Sequence, residues 1–112
     1  MIIIFRTEKL RRSCNTLAAA QKKWGPEMGK LLMRRLDELH AADVLADIRL
    51  LPQARCHELT ADLKGRLSVD LKHPHRLLFE PAHDPIPLKA DGGLDWTRVT
   101  AVRILDVGDT HG

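Results

Sequence analysis

The chain has no tyrosine, and its 112 residues hold four other aromatics, Phe5, Trp24, Phe79 and Trp96. Platforms on which a base could stack are therefore scarce. No apolar run approaches the ~20 residues that cross a bilayer as a helix, so no membrane partner is expected. The opening MIIIF meets Arg6 at once, which is too short for a signal-peptide core and reads as a first strand. Cysteine is sparse: Cys14 and Cys56 accompany no export signal and make no Cys-x-x-Cys. Free thiols in a reducing cytoplasm are the expectation. Internal repeats and low-complexity tracts are missing too. A single domain over residues 1–112 follows, large enough to bury a core without staples.

What is present describes an ordinary soluble globule, with 44% hydrophobic and 29% charged residues. The net charge of +3 is unevenly spread. Residues 1–35 carry nine Lys or Arg against two acids, while residues 36–80 and 81–112 are each at −2. A basic first third is either a solvated helical surface or the footprint of a polyanion.

Residues 2–5 are β-branched or aromatic and predict a strand. From Glu8 to Trp24, Leu10, Cys14, Leu17 and Trp24 recur at helical spacing and predict one helix. Gly25-Pro26 then closes that helix and opens another, because glycine suits a helix stop and proline a first turn. Met28, Leu31, Leu32, Leu36 and Leu39 give the second helix a strong apolar stripe. The short link makes the two an antiparallel hairpin. After His40 the pattern weakens, and Val44, Leu45 and Ile48 either extend the helix or add a turn.

The second half changes period. In RLSVDLK, Leu67, Val69 and Leu71 fall on one face and Arg66, Ser68, Asp70 and Lys72 on the other. His73-Pro74-His75 reads as a turn and RLLFE as the returning strand. Three prolines and Asp91–Gly93 mark residues 81–98 as a long loop. Arg98 to Val107 is a last strand, apolar on both faces and hence central. The fold class is α+β: an N-terminal strand and a helical hairpin packed on a mainly antiparallel twisted sheet.

The segment ARCHELTADLKGRLSVDLKHPHRLLFEP, with a closing strand that ends in DTHG, resembles the RelE/ParE toxin superfamily. Within it the HigB-like "killer protein" branch of bacterial toxin–antitoxin systems is most similar. The resemblance runs from about Leu31 to the C-terminus. It implies a ribosome-dependent mRNA endonuclease that uses the substrate's own 2′-hydroxyl and needs no cofactor. It also implies partners: a helix-turn-helix antitoxin of the HigA kind, the ribosome with mRNA in its A site, and operator DNA reached only through the antitoxin.

Such chemistry needs a proton acceptor for the 2′-hydroxyl, a donor for the leaving 5′-oxygen and a fixed cation for the charge gathering on phosphorus. Histidine and arginine suit these roles. By position, the resemblance places the catalytic residues at His57, Arg76 and His111. His57, read as a loop residue, serves as base or aligns the 2′-hydroxyl, Arg76 stabilises the phosphorane, and His111 is general acid or base, oriented by Asp109. Lys72 holds backbone phosphate, Lys64, Arg66 and His73 extend the RNA contact, and His75 supports Arg76. Where these toxins often carry lysine and glycine, Thr60 and Ala61 stand here, with Lys64 one step further along. Asp109-Thr110-His111 replaces their Asp-Tyr-His.

Plainer readings coexist with these. On these, Arg76 pairs with Asp70 or Glu80 across the hairpin, and the basic first helix is a solvated face. A zinc site from Cys56, His57, His73, His75 and His83 finds no support in the spacing. A second function class also shares the scaffold, a binding protein that inhibits gyrase or represses its own operon.

Overall fold

The computed structural model describes residues 1–109, and Thr110, His111 and Gly112 lie outside the described part. Five strands form one sheet in the order β1-β5-β4-β3-β2. They are β1 (Ile2–Phe5), β2 (His57–Glu58), β3 (Leu67–Asp70), β4 (His75–Pro81) and β5 (Ala101–Asp109). The β1–β5 pair is parallel and the other three pairs are antiparallel. The α+β architecture expected from the sequence is the one found, and β5 is interior, between β1 and β4.

The helical part departs from expectation at one point. Residues 8–24 form two helices, α1 (Glu8–Ser13) and α2 (Leu17–Trp24), where periodicity predicts one. Thr16 is the reason: its hydroxyl accepts from the Ala19 N–H and starts a fresh helix. Leu17 consequently faces solvent instead of joining the seam. Helix α3 (Pro26–Ala41) matches its apolar stripe, burying Met28, Leu32, Leu36 and Leu39. Gly25 links α2 to α3 at φ +91°, a left-handed conformation that favours glycine. A 3-10 helix follows at Leu45–Leu50 and buries Leu45 and Ile48.

Leu67, Val69, Leu77, Phe79, Val102 and Ile104 point from the sheet into a core shared with Leu32 and Leu39. Fully burying side chains of this kind is worth about 1.5–3 kcal/mol each. Leu78 and Leu105, also buried, stay outside that cluster on the opposite face. The sheet therefore has a helix-covered face and a second face, and the second carries Asp70 of β3, Arg76 and Glu80 of β4, and Arg103 and Asp106 of β5. Among the described residues no helix is long and apolar enough to cross a membrane.

Candidate functional site

Alternation along β3 sends Leu67 and Val69 into the core and leaves Ser68 and Asp70 on the second face. The hairpin register sets Asp70 directly opposite Arg76. Their side chains meet, with Arg76 Nε 3.7 Å from Asp70 Oδ1, and both are mostly buried. Asp70 Oδ2 lies 3.4 Å from a guanidinium nitrogen of Arg55. One carboxylate thus stands between two guanidiniums at the end of the sheet. Arg55, Asp70, His73 and Arg76 line a small cavity of about 80 Å³ there. On its other flank Arg76 faces Gly108 of β5.

Arg55 reaches Asp70 from an unusual backbone. It adopts φ 46°, ψ 50°, the left-handed region that non-glycine residues seldom enter. This kink turns the chain out of the short 3-10 helix at Pro52–Ala54 and into β2. It also aims the Arg55 carbonyl at the next residue but one: His57 Nδ1 lies 2.8 Å from that oxygen. A carbonyl only accepts, so Nδ1 carries a proton and donates it here; in the neutral form of the ring Nε2 is then the basic nitrogen.

His57 is the first residue of β2 rather than part of a loop, and it pairs with Ser68. It therefore shares a face with Asp70 and Arg76, two residues (roughly 7 Å) along the neighbouring strand. The Ser68 hydroxyl beneath it is buried and has no hydrogen-bond partner. Lys72 follows β3 and engages Glu27 of α3 through a 2.8 Å ion pair exposed on both sides. His73 and His75 flank Pro74 at the hairpin tip, where the His75 N–H donates to the Lys72 carbonyl. His75 pairs with Asp109 across β4 and β5, so those two point to the face away from Arg76.

The other expected residues scatter. Arg66 immediately precedes β3, at the far end from the Asp70–Arg76 pair, roughly 13 Å from Asp70 at the usual strand rise. Lys64 sits one turn earlier, in a separate groove with Glu58, Gly65, Ile86 and Leu88. Lys64 and Arg66 are thus not gathered with the catalytic candidates. His111 lies outside the described residues.

No three His, Cys, Asp or Glu side chains stand together as a metal site would need among the described residues. His83 instead accepts the Thr100 N–H on Nε2. Burial pushes the Cys56 thiol up to about 12, far from an easily formed thiolate.

Arg55 is the functional candidate that sequence patterns miss. Nothing in LPQARCHE distinguishes it from a loop arginine; only its left-handed backbone and its distant partner do. No protein-family model matches the chain, and no curated protein matches it.

Proposed function

We propose that this chain is the toxin of a bacterial toxin–antitoxin pair of the RelE/ParE kind, an endoribonuclease that cuts mRNA on the ribosome. The observation that carries the reading is the joint restraint of Arg55 and Arg76 by Asp70, on the sheet face where His57 presents Nε2. Guanidiniums are permanently charged forks of donors, matched to the oxygens of a phosphate diester. Their preorganisation favours the extra negative charge of a phosphorane over the ground state.

In the reaction, His57 Nε2 removes the 2′-hydroxyl proton as that oxygen attacks the adjacent phosphorus. Arg76, with Arg55 beside it, compensates the charge on the equatorial oxygens. The bond to the 5′-oxygen breaks as a general acid protonates it, leaving a 2′,3′-cyclic phosphate and a free 5′-hydroxyl. The resemblance assigns that acid to His111. The basic first third of the chain suits a ribosomal surface. A helix-turn-helix antitoxin would neutralise the toxin in the cytoplasm and mediate any contact with operator DNA.

The test is induced expression with growth measurement and mapping of mRNA 5′ ends, comparing wild type with Arg76→Ala and His111→Ala. New 5′ ends inside coding regions that either substitution abolishes are the expected result. Growth arrest with intact transcripts and altered DNA topology would overturn the reading in favour of gyrase inhibition.

A further inference from the structure

A groove of about 270 Å³ runs between the α2–α3 turn and the β3–β4 tip. Its walls are Trp24 and Met28 on the helical side and Lys72, His73 and His75 on the sheet side. His73 and His75 also line the small cavity around Arg55, Asp70 and Arg76, so the two depressions share a wall. Trp24 is half-buried, and Lys23 Nζ lies 5.2 Å from its ring centroid. The other tryptophan, Trp96, is buried beneath the Arg49 guanidinium. Trp24 is thus the one indole able to meet a ligand.

We infer that this groove is a subsite for single-stranded RNA: a base next to the scissile linkage stacks on Trp24 while its phosphate meets Lys72 and the hairpin histidines. The inference rests on the nuclease reading for the strand's direction of travel, and on the groove itself for binding. Three features select this occupant. An aromatic face beside several cationic or protonatable groups matches a base with its phosphate. The shared wall lets one strand occupy both depressions. A duplex, with its bases stacked inward, offers nothing to an indole in a cleft. Among the described residues that line the groove Glu27 is the acid, and it holds Lys72 through the 2.8 Å ion pair. Binding must draw Lys72 from Glu27 to phosphate, so the carboxylate tempers affinity.

The probe is a 2′-O-methyl pentanucleotide, which has no free 2′-hydroxyl and so separates binding from cleavage. Single strands are expected to quench tryptophan emission at low salt, and the same sequence as a duplex is not. With a fluorescein-labelled probe, Trp24→Leu should raise Kd at least fivefold, the loss of one stacked base. Trp24→Phe should stay within about twofold of wild type, because phenylalanine also stacks. Glu27→Gln should tighten binding. Should Trp24→Leu lose its fold, Glu27→Gln and Lys72→Ala, both at exposed positions, carry the test through opposite changes in Kd. An unchanged Kd in folded Trp24→Leu overturns the proposal. Equal quenching by inorganic polyphosphate of matched charge overturns it as well. Codon-internal mRNA cleavage with a Trp24-independent Kd would refute the groove and spare the nuclease. Trp24-dependent binding with no mRNA cleavage would do the reverse.

Discussion

Arg35 of α3 donates its Nε–H to the main-chain oxygen of Asp70 at 2.7 Å. The same guanidinium bonds the Gln53 carbonyl at 3.1 Å and the Glu38 carboxylate at 2.9 Å, and the residue is 5% exposed. One buried cation thus ties the helical layer to the end of β3 and to the turn that carries Arg55. It is a positioning residue for the candidate site, reaching phosphate only through the two segments it anchors.

Removing it leaves the Asp70 and Gln53 carbonyls without this donor and takes one of its donors from Glu38, which still accepts from the Gln53 side-chain amide. Arg35→Ala should therefore cost about 3 kcal/mol of stability, within the range for breaking a buried pair. Arg35→Lys should recover part of that, since one ammonium cannot span three acceptors. Denaturant titration of the three proteins checks both values; a loss below about 1 kcal/mol for alanine would refute the anchoring role.

Arg55→Gly separates charge from backbone. Glycine relieves a left-handed conformation that costs other residues about 1–2 kcal/mol, while the lost ion pair is exposed on the Arg55 side and contributes little. Folding stability should change by less than about 1 kcal/mol on these grounds. RNA cleavage should nonetheless fall by at least tenfold, measured as mRNA 5′ ends at equal expression. Equal stability with undiminished cleavage would remove Arg55 from the site.

Gly29 tests the helical hairpin. A Cβ there would stand 2.6 Å from the Gln21 backbone nitrogen and 2.8 Å from the Ala20 carbonyl carbon. Alanine gains about 1 kcal/mol of helix propensity. Overpacking against backbone, which cannot swing aside, costs about 1–3 kcal/mol. Gly29→Ala should thus lower Tm by several degrees, and a rise in the calorimetric Tm would show that α2 and α3 approach less closely.

The two thiols predict an alkaline loss of stability. Burial pushes Cys14 up to about 11 and Cys56 up to about 12, from an ordinary 9.0. The folded state holds these protons more tightly than the unfolded one, so their contribution is complete below pH 9.0 and declines as pH climbs towards 11 and 12. Stability measured across pH 8–11 should slope downward, and the double variant Cys14→Ala/Cys56→Ala should flatten that slope. Iodoacetamide at pH 8 should label the folded chain slowly and the denatured chain quickly.

At the acid end Asp95 is one of the carboxyls held low, with Glu8 and Asp91. The Thr97 hydroxyl, and after it the Arg98 guanidinium, hold this carboxyl below its usual 3.8. Its contribution is present above pH 3.8 and disappears as pH falls through the lower folded value. Asp95 caps the short turn that seats Trp96, whose Nε1–H donates to Glu58. Trp96 emission should shift in that acid window in wild type and lose this step in Asp95→Asn.

Much of the architecture follows from local rules. The stripe of Met28, Leu32, Leu36 and Leu39 forms the helix it predicts, Gly25-Pro26 turns the chain, and the alternation of Leu67, Val69 and Leu71 chooses a core face. Periodicity overran at Thr16, where a capping hydroxyl breaks a run that apolar spacing alone would continue. His57 also reads as a loop residue, since a two-residue edge strand leaves almost no pattern.

By itself, then, the sequence determined which residues of α3 and of the β3–β4 hairpin turn inward, where the hairpins bend and that Asp70 and Arg76 share a face, because each depends on neighbours a few positions away. Only the tertiary structure decided that Arg55 shares Asp70 with Arg76, that Arg35 is buried beneath them and that Trp24 opens onto the basic tip. Those meetings join segments 15 to 48 residues apart. Strand register and helix docking set them, and both are outcomes of packing the whole core at once rather than of any local preference.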